Sequence, residues 1–311
     1  MKPTVYDLII IGGGPAGASA GVYASRKQLK TLLITSEWGG QSTVSPDIQN
    51  WIGTPSISGS DLAKSFETHL KTYAGDILTI KDKTFVTSLT KDGENFVVQT
   101  DKEESFTATA VLVTSGSKRR ALSSPGAAEF ENKGLTYCAS CDGPMFSGQD
   151  VAVIGGGNAG FETAAQLLAY AKSVTLIHKN DAFKADPVTV EKVMKDPKMR
   201  AVLNTDVAEV VGDKFVSGLK LKNVQTGEES EIAVTGVFVE IGMIPNTEFV
   251  KDILPLDEYN RVKIDPWTQK TEVPGVWAAG DCTNIKYHQN NISAGDAVRA
   301  LEDIYVTLKT K

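Results

Sequence analysis

Near its start the chain reads Val5-Tyr6-Asp7-Leu8-Ile9-Ile10-Ile11-Gly12-Gly13-Gly14-Pro15-Ala16-Gly17, a compact apolar run passing straight into the spacing G-x-G-x-x-G. A fully buried parallel strand reads as such a continuous apolar run. Pro15–Leu29 then reads as a small-residue helix and Lys30–Thr35 as the next strand. Glycine at Gly12, Gly14 and Gly17 suits this junction: a tight turn, close approach of a pyrophosphate, and close packing of helix on strand. The helix opening at Pro15 and Ala16 turns its first N–H groups toward an anion. Glu37 follows Gly17 by 20 residues, near the end of the second strand, where an acidic side chain can take ribose hydroxyls. The segment predicts a bound dinucleotide.

The same grammar returns at Asp150–Ile154, Asn158–Ala171 and Ser173–His178, around Gly155-Gly156-Gly157-Asn158-Ala159-Gly160. Gly12 and Gly155 stand 143 residues apart, too far for a solenoid repeat. Two dinucleotide-binding domains are expected. After the second loop no carboxylate stands at the ribose position; the available cations are Lys179 and Lys184 beside His178. A cation there accommodates a 2′-phosphate, so NADPH is favoured, with NADH open because lysine lacks the forked guanidinium of arginine. Phe85–Leu89, Phe96–Thr100 and Ser105–Val113 read as a β-meander, and Val207–Val211, Val216–Val224 and Ser230–Val239 as its counterpart. Thr114–Lys118 and Ile241–Asn246 are the expected domain crossings, so the second unit reads as an insertion.

Composition excludes several classes of function. The 311 residues carry a formal charge of −6, without the basic footprint of a nucleic-acid binder or a polybasic membrane patch. No apolar stretch reaches the roughly 18 residues of a membrane helix. Asp7 interrupts the first apolar run, which is therefore not read as a signal peptide. A cytoplasmic location is expected.

Three cysteines make no disulfide framework, yet two form Cys138-Ala139-Ser140-Cys141. Such a pair can close a reducible disulfide or supply half a zinc site. Zinc needs two more ligands, and His69, His178 and His288 show no paired spacing, so no metal is expected. The pair reads as redox-active, with Asp142 placed to act as acid or base in thiol exchange. Cys282 stands alone and reads as structural. Downstream, Ala278-Ala279-Gly280-Asp281 offers a short acid after a small-residue turn, followed by Tyr287-His288-Gln289 and a helix over Ile292–Leu308.

Taken in order, GGGPAG, GGQ at Gly39–Gln41, Asn50-Trp51, CASCD, GGGNAGFE, IHKND, IGMIPNT at Ile241–Thr247 and GVWAAGD at Gly275–Asp281 resemble the low-molecular-weight thioredoxin reductases over nearly the whole chain. The resemblance implies an α/β fold of two Rossmann-like dinucleotide-binding domains, each a three-layer ββα arrangement, the second inserted into the first. Residues 1–116 and 245–311 would bind FAD, and 117–244 would bind NAD(P)H and carry the cysteine pair. It implies FAD on Gly12, Gly14, Pro15, Ala16 and Gly17, with Glu37 near the adenosine ribose. Gly40, Gln41, Asn50, Thr114, Gly116, Gly280, Asp281, His288 and Gln289 would surround the rest of it. Gly155, Gly157, Asn158, Ala159, Gly160 and Glu162 would meet the nicotinamide dinucleotide, with His178, Lys179 and Lys184 at its 2′-phosphate. Cys141 would face the flavin, Cys138 would attack the partner disulfide, and Asp142 would be the acid. A homodimer that reduces thioredoxin or a thioredoxin-like protein is implied.

The chain also resembles the flavoprotein component of alkyl hydroperoxide reductase, and a first strand at residue 5 predicts no relay domain ahead of it. Lys179, Asn180 and Lys184 stand where the reductases carry arginines, and Thr114-Ser115-Gly116 where Ala-Thr-Gly is usual. These departures keep two alternatives in view: ferredoxin or another non-nicotinamide carrier as electron donor, and a peroxiredoxin system as the partner.

Overall fold

The computed structural model describes residues 5–45 and 47–310. The chain divides into two compact units, Met1–Lys118 with Ile244–Lys311, and Arg119–Met243 between them.

The first unit begins with β1 (Val5–Gly13), α1 (Pro15–Arg26) and β2 (Thr31–Trp38), followed by α2 (Gly59–Ala74) and β3 (Leu78–Lys81). The meander is β4 (Val86–Asp92), β5 (Asn95–Thr100) and β6 (Ser105–Val113). β1 pairs in parallel with β2 and β6, putting Ile9 and Ile10 against Leu32 and Leu33 on one side and Val111 and Leu112 on the other. All six side chains are fully buried, as the apolar run requires. Helix α1 ends at Arg26, three residues short of the expected Leu29, because Lys27 and Gln28 turn the chain and Gln28 takes a positive φ of 56°.

The chain leaves through β7 (Ser117–Arg119), which ladders with a later strand. The second unit then contains β8 (Leu135–Thr136), α3 (Ala139–Asp142), β9 (Asp150–Ile154), α4 (Asn158–Leu168), β10 (Ser173–Ile177), α5 (Pro187–Met194) and β11 (Met199–Val202). β12 (Thr205–Gly212), β13 (Val216–Asn223) and β14 (Glu229–Ala233) form an antiparallel three-stranded sheet. Ser230–Val239 is not the single strand expected of it. It breaks at Val234-Thr235, and β15 (Gly236–Val239) joins a different, parallel sheet of order β11-β10-β9-β15-β8. Gly236 permits the crossing, since a Cβ there would stand 2.6 Å from the Phe146 ring.

The partner of β7 is β16 (Met243–Pro245), through which the chain returns to add β17 (Val276–Ala278) beside β6 and the long helix α6 (Asn290–Lys309) to the first unit. α6 packs Ala297, Ala300, Leu301 and Ile304 onto the α1 face of the sheet. The fold is α/β with two Rossmann-like domains, the class expected from the two glycine loops. None of the helices among the described residues is long and apolar enough to cross a membrane.

Candidate functional site

Each glycine loop is shaped by the same three steric rules. Gly12 and Gly155 take φ of +122° and +126°, and a Cβ on either would stand 2.2 Å from the carbonyl oxygen of Thr114 or Glu240. Gly17 and Gly160 press on the loops' own first turns: a Cβ would lie 1.8 Å from the Gly12 oxygen and 2.0 Å from the Gly155 oxygen. Gly14 and Gly157 are the opposite case, with nothing nearer than 4.0 Å at the first and nothing within 4 Å at the second. They are the helix N-caps of α1 and α4, and neither helix has a side-chain cap or an acid in its first turn. The first N–H groups of both helices are thus left for an anionic ligand.

In the first unit the loop opens onto a cleft at the carboxyl ends of β1 and β2. Gly12, Gly14, Pro15, Ala16, Glu37, Gly40, Gln41, Thr114, Gly116, Gly280 and Asp281 all line it. Gly17 lies behind the loop as packing. Asn50 and Gln289, 239 residues apart, meet beside the cleft, the Asn50 amide donating to Gln289 Oε1 at 3.2 Å. His288 Nδ1 stands 3.3 Å from Asp281 Oδ1, and Ser293 donates to the same oxygen at 3.2 Å. Sequence reading missed Asn246, Asn290 and Ser293, which also line the cleft. Asn290 accepts from Ser42 at 3.1 Å, and Asn246 exchanges hydrogen bonds with Ser115 at 2.7 and 2.9 Å. No local pattern marks such residues, because fold topology alone carries them to the cleft. The open face of Gly14, the uncapped helix and the polar lining together fit a pyrophosphate-bearing dinucleotide such as FAD.

In the second unit His178 lies beneath the loop. Its Nδ1 accepts from the Gly156 N–H at 3.1 Å, and a Cβ on Gly156 would stand 2.6 Å from the ring. Burial, reinforced by the charges of Lys184 and Lys179, holds the imidazole below its ordinary pKa, so it supports the loop as a neutral acceptor. Lys179 and Lys184 are exposed and make no ion pair among the described residues. The Lys184 N–H donates to the Gly156 carbonyl at 2.9 Å, which ties that segment to the loop. Asn158 and Ala159 open α4, with Asn158 Oδ1 accepting from the Asp186 N–H at 2.8 Å. Glu162 is exposed on the next turn.

Cys138 and Cys141 are joined as a disulfide across the short helix α3, with Cα atoms 5.3 Å apart. Both are half-buried. Cys138 Sγ accepts from the Cys141 N–H at 3.2 Å, a contact that would stabilise a thiolate once the bond is reduced. Asp142 is buried beside the pair, and Thr136 donates its hydroxyl to Asp142 Oδ2. Thr136 Oγ1 also accepts from the Cys138 N–H at 3.3 Å, so one hydroxyl connects the acid to the first cysteine. Ser140 meets Gln166 of α4 at 3.1 Å. Gly143 leaves room for the Tyr170 side chain, whose hydroxyl a Cβ there would meet at 2.1 Å. Cys282 is fully buried, donating toward the Val113 and Ala279 carbonyls, and burial pushes its thiol up to about 11. Among the described residues no group of His, Cys, Asp and Glu could hold a metal ion.

A dinucleotide cleft, a second glycine loop and a closed dithiol on one chain are the parts of a flavin-linked disulfide enzyme. The profile described as pyridine nucleotide-disulphide oxidoreductase matches residues 6–295. The chain belongs to that family. As a pyridine nucleotide-disulphide oxidoreductase it implies FAD and a pyridine nucleotide, in keeping with the two loops. Among solved structures it is similar to thioredoxin reductase from Streptococcus pyogenes, with 33% identity, TM-score 0.88 and 99% of each chain covered. Thioredoxin reductase from Giardia duodenalis superposes with TM-score 0.91 at 30% identity, over 97% of this chain and 99% of that one. In sequence it is 36% identical to a Bacillus subtilis NADH dehydrogenase over 95% of this chain, and 35% identical to an Escherichia coli alkyl hydroperoxide reductase subunit over 96% of it. This oxidoreductase spans 57% of the length of each of those two curated relatives.

Proposed function

We propose that the chain is an NADPH-dependent thioredoxin reductase that passes electrons through FAD to the Cys138–Cys141 disulfide and on to a thioredoxin or thioredoxin-like protein. The observation that carries this reading is the disulfide itself, half-buried and coupled to a buried acid through Thr136. FAD, when bound, accepts hydride from the nicotinamide and delivers two electrons to a disulfide.

The chain's own residues divide the remaining work. Gly12, Gly14, Pro15 and Ala16 would hold the FAD pyrophosphate, with Gly17 packed behind the loop, Glu37 would hold its adenosine ribose, and Asp281 the ribityl chain, with Ser293 and His288 orienting that carboxylate. Gly40, Gln41, Asn50, Thr114, Gly116, Gly280 and Gln289 shape the rest of the cleft. Gly155, Gly157, Asn158, Ala159 and Gly160 would bind the nicotinamide dinucleotide, Glu162 would serve its nicotinamide end, His178 braces the loop, and Lys179 and Lys184 would receive a 2′-phosphate. Two electrons and two protons open the Cys138–Cys141 bond. The Cys138 thiolate then attacks one sulfur of the partner disulfide and releases the other as a thiol protonated by Asp142. Cys141 attacks the mixed disulfide at Cys138, freeing the reduced partner and restoring the resting bond. A cytoplasmic homodimer is the setting that goes with this activity.

A second reading, reduction of a thioredoxin-like domain in a peroxiredoxin system, is favoured by the relatives that are named as components of alkyl hydroperoxide reductase. The flavin-loaded protein should be assayed with NADPH against a thioredoxin and against the isolated disulfide-relay domain of an alkyl hydroperoxide reductase. Faster turnover of the thioredoxin supports the first reading, and faster turnover of the relay domain replaces it with the second. Reduction of both only when ferredoxin substitutes for NADPH would move the electron donor.

A further inference from the structure

Glu240 directly follows β15, and its N–H donates to the Ile154 carbonyl at 2.8 Å, which sets it at the carboxyl ends of β15 and β9 together. In the order β11-β10-β9-β15-β8 the chain steps from β9 through β10 to β11 on one side and to β15 on the other. Ligands of such sheets lie in the crevice outside the carboxyl ends at that switch. The direction of a bound dinucleotide follows from the loop. Its pyrophosphate would lie at the start of α4 and its adenosine ribose toward the end of β10, so the nicotinamide half would extend over the β15 side.

The Glu240 side chain is half-buried there, with Oε1 accepting from Thr163 Oγ1 at 2.8 Å. The groups that face it are Thr163 and Glu162 from α4 and Arg119 from β7. Burial pushes its carboxyl up to about 7; the Thr163 hydrogen bond and the Arg119 charge oppose the rise, and Glu162 adds to it. Dithiol exchange makes no use of this group, and a strongly perturbed acid in a ligand crevice marks a functional position.

Resting on the reading of the second glycine loop as the nicotinamide site, we propose that Glu240 sets the preference of that site between oxidised and reduced nucleotide, its carboxylate favouring the cationic ring of the oxidised form. The reduced ring is neutral and gains nothing from the charge. The protonated acid treats both forms alike, so discrimination appears as Glu240 ionises. Binding of the oxidised nucleotide should therefore release a proton from Glu240, which would ease departure of the spent nucleotide at lower pH.

The test is calorimetric binding to the flavin-loaded protein of NADP+ and of the tetrahydronicotinamide analogue of NADPH, which has a neutral ring and cannot transfer hydride. Between about pH 5 and pH 9, NADP+ should gain roughly tenfold in affinity over the analogue, the effect of a one-unit displacement of the carboxyl's pKa. Glu240→Gln should show no such pH dependence. Thr163→Val, which removes the hydrogen bond that favours ionisation, should move the midpoint to higher pH. Two binding curves whose ratio is unchanged with pH in the parent protein, or a ratio that still moves in Glu240→Gln, would overturn the role of Glu240 while leaving the nucleotide site in place. Failure of either nucleotide to bind at any pH would overturn the reading of the loop and this inference with it.

Discussion

Thiol exchange at Cys138 needs a proton held where the leaving sulfur departs, and Asp142 is the buried acid nearest the pair in the fold. Asp142→Asn should retain FAD yet slow single-turnover partner reduction by about 10²–10⁴-fold, the usual contribution of a positioned acid. Thr136→Val should slow the same step and Thr136→Ser should restore it; stopped-flow single turnovers read both. Cys138→Ser should leave flavin reduction intact and abolish partner reduction. At the nucleotide's 2′-phosphate, Asn180→Arg should lower the KM for NADPH by about 10–100-fold without changing that for NADH, as one added hydrogen bond to a charged group would. The cysteine pair and Asp142 were legible in the sequence because C-x-x-C-D carries its chemistry in consecutive residues. Thr136 was not, since a threonine in a two-residue strand gives no local signal. Glu240 was hidden for another reason: its pKa is set by burial and by Thr163, neither of which appears in sequence order.

The glycine loops are where sequence and element agree most closely, because steric need dictates Gly12, Gly17, Gly155 and Gly160 one by one, while Gly14 and Gly157 leave the ligand face open. Gly17→Ala would drive a methyl group into the Gly12 carbonyl, and Gly160→Ala would do the same at Gly155. The two variants should separate by ligand. The first should purify with little flavin and lose about 1–3 kcal/mol of stability by overpacking. The second should stay yellow but fail to bleach with NADPH. Absorbance of the purified proteins and a thermal melt check both expectations. Apolar runs also located β1, β2, β9 and β10. The stretch Ser230–Val239 misled because periodicity cannot show that a strand changes sheets at Val234-Thr235, where the only local hint is Gly236, whose missing Cβ leaves room for the Phe146 ring.

Across the whole molecule, residues that sequence alone keeps far apart meet through topology. Asn50 reaches Gln289, and Ser42 reaches Asn290, only because the C-terminal segment returns to the first unit after the insertion. Motif order indicated the return, whereas the particular partners depend on side-chain packing. Stability of the whole chain should carry the mark of Glu240. Its folded value of about 7 lies above the ordinary 4.5, so the folded state keeps a proton that the unfolded chain loses. That contribution is fully present below pH 4.5 and disappears as pH rises through about 7, by an amount on the order of 3 kcal/mol. Urea denaturation of the parent protein should show the decline, and Glu240→Gln should flatten it.

The proposed function couples a nicotinamide nucleotide, a flavin and the Cys138–Cys141 disulfide on one chain. Anaerobic titration of the flavin-loaded protein with NADPH, followed by flavin absorbance and thiol counting, tests it most directly. Flavin and disulfide each take two electrons, so about two equivalents should be consumed, with two new thiols, and about one equivalent in Cys141→Ser. A flavin that bleaches after one equivalent while the disulfide stays closed, or one that bleaches only with dithionite, would rule that coupling out.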